Sequence, residues 1–162
     1  MELISRLTAV ILAFLLSPVL IGIALGNVLT QGRPIIFRQS RIGKDFKPFI
    51  IYKFRTMVIN KSNDNNYQTG GNNQTTKWGS FLRKTKLDEL PQLFNVIKGD
   101  MRFIGPRPEI PQYVKKDSFS FLNQIKPGLS GYSSILFRNE SEIWSMIDSD
   151  DPYNNILKIK VG

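Results

Sequence analysis

Apolar residues dominate the first 32 positions of the chain, and no charged residue occurs between Leu7 and Gly32. A run of roughly 20 apolar residues is long enough to cross the hydrocarbon core of a bilayer. Pro18 lies in the middle of this run, where it removes a backbone hydrogen bond and bends a helix. The preceding Ser17 can donate a hydrogen bond to the carbonyl that the proline leaves free. The pattern predicts a broken hydrophobic helix over residues 1–32.

Three topologies fit this hydrophobic segment. A cleaved signal peptide is disfavoured because the apolar run is too long and no cysteine framework follows it. A straight single-pass helix is the ordinary interpretation of the length, whereas a re-entrant helix would enter and leave the same leaflet. Cations follow the segment at Arg33, Arg38 and Arg41, which favours the cytoplasm on that side. Arg6 flanks the other end, so charge alone does not decide between the last two topologies.

A second pattern occupies residues 86–108. Pro91 suits the first turn of a helix and Gly99 suits its end. The spacing predicts a short helix that begins with the adjacent carboxylates Asp88 and Glu89 and is followed by a stiff Gly-Pro-Arg-Pro turn. The apolar positions with helical spacing are Leu87, Leu90, Phe94 and Ile97.

The paired carboxylates have two interpretations. A carboxylate at a helix N-terminus is kept ionised by the helix dipole and free N–H groups, and it can act as a nucleophile or a Mg²⁺ ligand. Its neighbour repels it, so one of the pair is expected to titrate high and to serve in proton transfer. On spacing alone, the simpler interpretation is that Asp88 and Glu89 cap the helix, because acids are common in first turns.

The composition narrows the chemistry. The 162 residues allow at most one domain with an appendage, and they include no cysteine and no histidine. Thiol nucleophiles, Ser-His triads, disulfides and structural zinc sites are therefore excluded. The net charge of +9 predicts an anionic partner. Between Phe46 and Leu87 the only acid is Asp64, amid many lysines and arginines, and such cations beside paired carboxylates suit a phosphate-handling site.

Three further segments are less specific. Residues 49–57 alternate like a strand, with Lys53 and Arg55 on one face that is either solvated or binds a diphosphate. Residues 60–76 are rich in Asn, Gly, Ser and Thr and are expected to form a mobile surface loop. Residues 135–137 resemble a short strand.

Taken in order, these segments resemble the monotopic phosphoglycosyl transferases, a family of bacterial sugar transferases. The resemblance implies an α/β (α+β) fold, with a re-entrant membrane helix-break-helix over residues 1–32 and a small, mostly helical catalytic domain with a short β-hairpin over residues 33–162. It thereby favours the re-entrant topology, with the break at Ser17-Pro18. The other motifs that carry it are Tyr52-Lys53-Phe54-Arg55-Thr56-Met57, Leu87-Asp88-Glu89-Leu90-Pro91-Gln92-Leu93-Phe94-Asn95-Val96, Lys98-Gly99-Asp100-Met101, Gly105-Pro106-Arg107-Pro108-Glu109 and Lys126-Pro127-Gly128-Leu129-Ser130-Gly131.

The resemblance also implies a reaction at the cytoplasmic face of the bacterial inner membrane. A phospho-sugar would pass from a UDP-sugar to a polyprenyl phosphate with release of UMP, which starts glycoconjugate assembly. Asp88 is the implied nucleophile and lies by the required Mg²⁺, and Glu89 is its partner carboxylate. No nucleic acid is implied as a partner, and a homodimer is left open. The implied substrate-binding residues are Lys53, Arg83, Pro106, Arg107, Pro108 and Arg138.

Two departures keep other functions open. Tyr132-Ser133-Ser134-Ile135 stands where the family usually has a Trp-Ala-Gln-Val type stretch. The chain also stops at Gly162, where members usually continue through further amphipathic helices, so a truncated and inactive transferase is one alternative. A membrane-anchored basic binding protein without catalysis is the other.

Overall fold

The computed structural model describes residues 2–58, 75–114 and 119–131. Most of the predicted loop at 60–76, the predicted strand at 135–137, Arg138 and the C-terminal departures lie outside the described residues. Helices and short two-stranded sheets occur together in the described part. The mixed α/β class is therefore confirmed.

The chain divides into two compact units. The first comprises Met1–Gln39 and Ile50–Gly99, and the second comprises Ser40–Phe49 and Asp100–Gly162. Asp88 and the hydrophobic N-terminal segment both belong to the first unit. The predicted division at residue 32 concerns what is embedded in a membrane, and it stays a prediction.

The N-terminal segment forms two helices, α1 (Glu2–Leu15) and α2 (Ser17–Gln31), that are bent by 61° relative to each other. Among the described residues, no single helix is long and apolar enough to cross a membrane, although the bent pair together is, by length and composition. Apolar side chains on both helices are exposed, with Phe14 at 79% and Leu29 at 86% exposure. The predicted break in the hydrophobic helix is confirmed.

The bend has a local cause at Pro18. Without a backbone N–H, this proline cannot donate to the carbonyl of Phe14, its acceptor in a continuous α-helix. The hydroxyl of Ser17 donates to that carbonyl oxygen instead, at 2.7 Å. The serine thus satisfies the group that the proline leaves free, as the sequence predicted.

The two strands β1 (Ile36–Ile42) and β2 (Pro48–Phe54) pair with each other. A 3-10 turn at Lys44–Phe46 joins them, and a connection this short joins antiparallel neighbours. The predicted strand is confirmed, although it ends at Phe54 rather than at residue 57. Its end therefore leaves Arg55 and Thr56 outside the sheet, where both are buried.

Three elements follow in the first unit: α3 (Lys77–Thr85), a 3-10 helix (Leu87–Gln92) and α4 (Leu93–Lys98). Helix α1 packs along α4. Helix α4 ends at Gly99, as predicted. A buried cluster joins α2, β2 and α3 through Ile23, Phe54 and Leu82.

The predicted apolar face of residues 87–97 is wrong in one respect. Phe94 is 50% exposed, whereas Leu93 and Val96 are buried. Residues 87–92 form a 3-10 helix with about three residues per turn, so the phase shifts before the α-helix begins. The buried side of α4 is therefore displaced from the one that a continuous α-helix would present.

The second unit contains β3 (Arg102–Ile104) and β4 (Gly128–Ser130), which pair in parallel. Two 3-10 turns, Pro111–Tyr113 and Ser120–Asn123, lie between these strands in the chain. The unit has its own buried cluster, formed by Ile42, Phe119 and Leu122.

Two of the sequence motifs contact each other through their glycines in the second unit. The Gly105 N–H donates to the Ser130 carbonyl at 3.0 Å, and the Gly128 N–H donates to the Pro106 carbonyl at 2.9 Å. A Cβ at Gly128 would overlap the backbone of Gly105. This close backbone contact fixes the turn that carries Arg107.

Candidate active site

Asp88 lies in the first turn of the 3-10 helix that follows α3. Between these two helices, Lys86 adopts a left-handed conformation with φ of 59°, which ends α3 before the 3-10 helix begins. The predicted placement of Asp88 and Glu89 in a first helical turn is confirmed, although that turn is 3-10 rather than α.

Burial dominates the electrostatics of Asp88, which is 8% exposed. Loss of solvation raises the pKa of Asp88, and this is the largest effect. The charge of Lys53 lowers the pKa, that of Glu89 raises it, and those of Arg83 and Lys86 lower it. The net direction is upward because desolvation outweighs the favourable charges. The raised pKa agrees in direction with the expectation that one of the two acids titrates high, although burial rather than Glu89 is its main cause.

One oxygen of Asp88, Oδ1, is buried and has no hydrogen-bond partner among the described residues. Buried polar atoms are nearly always satisfied, and exceptions are frequent at functional sites. A buried carboxylate oxygen without a partner costs stability, so this arrangement indicates a functional rather than a structural role for Asp88.

Glu89 is paired with a cation from the neighbouring strand. Lys53 Nζ of β2 lies 2.7 Å from Glu89 Oε1, and both side chains are mostly buried. Because this ammonium also lowers the pKa of Asp88, Lys53 acts on both carboxylates. The predicted proximity of Lys53 to the acidic pair is confirmed.

Arg83 of α3 is oriented by a hydroxyl from the end of β2. Its Nε donates to Thr56 Oγ1 at 2.9 Å, and its charge lowers the pKa of Asp88. Lys53 and Arg83, two of the predicted phosphate-binding cations, therefore both act on Asp88.

Arg55 has a different role from either one that its strand pattern suggested. Its side chain is buried and donates to three carbonyls at the C-terminal end of α2, those of Gln31, Gly32 and Arg33. A cation at a helix C-terminus is favourable because the last carbonyls lack donors within the helix. Arg55 is thus neither on a solvated face nor directed to a diphosphate.

The remaining predicted binding residues are not brought to Asp88 by any described contact. Pro106, Arg107 and Pro108 belong to the second unit, and Arg138 lies beyond the described part of the chain. The predicted convergence of these residues on Asp88 stays a prediction.

Two residues near the site were missed by sequence reasoning. Thr56 orients Arg83, and Lys86 both turns the chain and acts on Asp88. Both belong to segments that pointed to the site. Thr56 is part of the Tyr52–Met57 motif, and Lys86 is the first residue of the 86–108 segment.

Magnesium fits the donors at this site. Residues 2–58, 75–114 and 119–131 contain no group of three or more acidic residues that could hold a metal. Mg²⁺ needs no such group, since it keeps several waters and binds through one or two carboxylates plus substrate phosphates. Asp88 Oδ1 is a buried carboxylate oxygen without a partner, which is a suitable hard donor.

The sequence profile of the family described as bacterial sugar transferase matches residues 2–161. This chain belongs to the bacterial sugar transferase family. A second finding agrees with that membership: the chain is 35% identical to the "Uncharacterized sugar transferase EpsL" of Bacillus subtilis, over 96% of its own length and 80% of the relative's.

Two named relatives are longer than this chain. It is 39% identical to the "UDP-glucose:undecaprenyl-phosphate glucose-1-phosphate transferase" of Escherichia coli, over 78% of its own length and 29% of the relative's. It is also 39% identical to the "UDP-N-acetylgalactosamine-undecaprenyl-phosphate N-acetylgalactosaminephosphotransferase" of Aeromonas hydrophila, over 80% of its own length and 32% of the relative's. The chain thus spans about a third of the length of these curated relatives.

Proposed function

We propose that this protein transfers a phospho-sugar from a UDP-sugar to undecaprenyl phosphate and releases UMP. The relatives named above are described as acting on these two kinds of substrate. The observation that carries the proposal is the environment of Asp88. This carboxylate is buried, one of its oxygens has no hydrogen-bond partner among the described residues, and the positive charges of Lys53 and Arg83 act on it.

In this proposal Asp88 is the nucleophile. Its carboxylate oxygen attacks the β-phosphorus of the UDP-sugar, the bond from that phosphorus to the bridging oxygen breaks, and UMP leaves with that oxygen. An oxygen of the lipid phosphate then attacks the same phosphorus, and the Asp88 carboxylate leaves. Such a covalent intermediate splits one difficult transfer into two easier steps. A desolvated carboxylate suits this role because little solvent must be removed from it before attack.

The cations supply the electrostatic part. Lys53 and Arg83 stabilise negative charge on the phosphoryl group, and they are already oriented by Glu89 and Thr56. Asp88 would hold Mg²⁺, which when bound supplies further positive charge to the diphosphate. The Lys53–Glu89 pair keeps the second carboxylate from repelling the substrate.

The intermediate gives the sharpest test of this function. Purified protein incubated with Mg²⁺ and either UDP-glucose or UDP-N-acetylgalactosamine, without lipid, should gain the mass of one phospho-sugar and release one equivalent of UMP. Addition of undecaprenyl phosphate should then remove the adduct. Binding of lipid or UDP-sugar without UMP release would instead support a binding protein without catalysis.

We also propose that α1 and α2 form a re-entrant hairpin at the cytoplasmic face of the inner membrane. The bend of 61° and the exposed apolar side chains on both helices support this topology. Arg6 and Arg33 flank the two ends and would both lie at the cytoplasmic interface, in line with the positive-inside tendency. A UDP-sugar is cytoplasmic, so the site must face that side.

The topology can be read from one introduced thiol, because the chain has no cysteine of its own. In the Glu2→Cys variant, a membrane-impermeant maleimide should label the thiol only after the cytoplasmic face is opened. Pro18→Ala restores a backbone N–H that can donate to the Phe14 carbonyl, so it should straighten the helix and increase labelling from the periplasm. Periplasmic labelling of Glu2→Cys alone would establish the single-pass topology.

A further inference from the structure

We propose that Thr56 is a positioning residue for Arg83, and that it holds this guanidinium ready for the diphosphate of the substrate. The inference rests on the proposed function. Thr56 touches neither carboxylate in any described contact, so it would act only through Arg83.

The hydrogen bond between Thr56 and Arg83 leaves the terminal NH₂ groups of the arginine available to bind a phosphate. Thr56 is buried, and its Oγ1 accepts from Nε of Arg83 at 2.9 Å. A guanidinium has five N–H donors in a rigid plane, so occupation of Nε leaves the two terminal NH₂ groups for bidentate binding of a phosphate. The Arg83 side chain is otherwise exposed, and an exposed arginine without such a bond would sample many rotamers.

The backbone around Thr56 is fixed to the helix that carries Arg83. Gly79 of α3 packs directly on it, and a Cβ at Gly79 would overlap the Thr56 carbonyl. Arg83 lies one helical turn further along α3, on the same side. The hydroxyl of Thr56 and the guanidinium of Arg83 are thus set at hydrogen-bond distance by two backbones in contact.

The same strand end is held from its other side by α2. The carbonyl of Arg55 accepts from the amides of Asn27 and Gln31, both at 3.1 Å. The buried guanidinium of Arg55 donates in turn to the carbonyl of Gly32 at 2.9 Å. Thr56 is therefore placed by the N-terminal helices as well as by α3.

This arrangement has a kinetic meaning. An arginine that is already oriented loses less conformational entropy when it binds a phosphate, and it contributes more to a transition state in which charge develops there. Loss of the Thr56 hydroxyl should leave the charge of Arg83 unchanged, but the guanidinium should no longer be held in one orientation. The result should be weaker binding and slower transfer with an intact fold.

The test is a double-mutant cycle between Thr56→Val and Arg83→Gln, measured on the full chain in detergent. Thr56→Val should lower kcat/KM for UMP release about tenfold and weaken the binding of UDP about fivefold, since one oriented charged hydrogen bond is worth roughly this much. In the Arg83→Gln background, Thr56→Val should change neither quantity. Thr56→Ser, which keeps the hydroxyl, should stay within about twofold of the wild type.

Thr85→Val is the matched control, because Thr85 lies on α3 and, among the described residues, its hydroxyl donates to carbonyls of its own helix. This variant should change neither quantity. An equal loss from Thr56→Val with and without Arg83 would overturn the proposal and give Thr56 a merely structural role, as would wild-type behaviour of Thr56→Val. A wild type that neither binds UDP nor releases UMP would refute the proposed function itself. Thr56→Ala serves in the same cycle if the valine variant has a lowered melting temperature.

Discussion

Asp88→Asn should abolish UMP release, by at least about a thousandfold, because an amide cannot replace a carboxylate that attacks phosphorus. The variant keeps the size of the side chain, so UDP should still bind to the folded protein. The phospho-sugar adduct should be absent from its mass spectrum. Normal turnover by pure Asp88→Asn protein would remove the covalent mechanism.

The same substitution should stabilise the protein at neutral pH. Burial raises the pKa of Asp88 above the ordinary aspartate value of 3.8, so the folded state binds more protons than the unfolded state between these two values. The stability of the wild type therefore falls as pH rises through that window. Asp88→Asn lacks this loss, so its free energy of unfolding should exceed that of the wild type at pH 7.

Thermal unfolding in EDTA at several pH values would measure this effect. The difference between the two proteins should be near zero below pH 3.8 and grow as pH rises. Asp45→Asn, in the turn between β1 and β2, is the control and should retain UMP release. A lower stability of Asp88→Asn at pH 7 would show that Lys53 and Arg83 outweigh the desolvation.

Asn27→Ala should have the largest effect on stability, a loss of about 3 kcal/mol in the free energy of unfolding. Asn27 is 1% exposed. Its amide donates to the carbonyls of Ile35 and Arg55, and its Oδ1 accepts from the indole N–H of Trp78 at 2.8 Å. Truncation leaves the indole N–H of Trp78 without this acceptor and removes one of the two donors to each carbonyl. It also removes hydrogen bonds that connect α2 to α3 and to the segment that follows β2.

Denaturant unfolding in detergent would give this value. Asn123→Ala is the matched control, because Asn123 is exposed on a 3-10 turn, and it should change the free energy by less than about 0.5 kcal/mol. A loss of under about 1 kcal/mol at Asn27 would mean that water reaches the network and replaces its hydrogen bonds.

The predictable features of this protein are those with a local cause. Pro18 breaks the helix because its own backbone lacks an N–H, and Ser17 is the adjacent residue that can compensate. Gly99 ends α4 for a similarly local reason, because it adopts a φ of 85° that favours glycine. Such features need only the neighbouring residues, so the sequence contains what is required to find them.

The features that were missed depend on tertiary contacts. Arg55 lies two residues after Lys53 on the same face of the predicted strand, which is typical of solvated cations. In the folded protein the end of α2 lies beside Arg55, and carbonyls there accept hydrogen bonds from its guanidinium. Asn27 is one polar residue in an apolar helix, and only its packing against Trp78 and Arg55 gives it partners. The pKa of Asp88 likewise depends on burial, which local spacing does not determine.

The contact between Gly105 and Gly128 also places two distant motifs under one constraint. The hydrogen bonds of Gly105 and Gly128 in this contact run between backbone atoms, so they depend on the close approach of the two backbones and not on side-chain chemistry. Neither glycine can accept even a methyl group, and a change at one cannot be compensated by a smaller residue at the other. The two ends of the intervening segment are therefore closed to substitution.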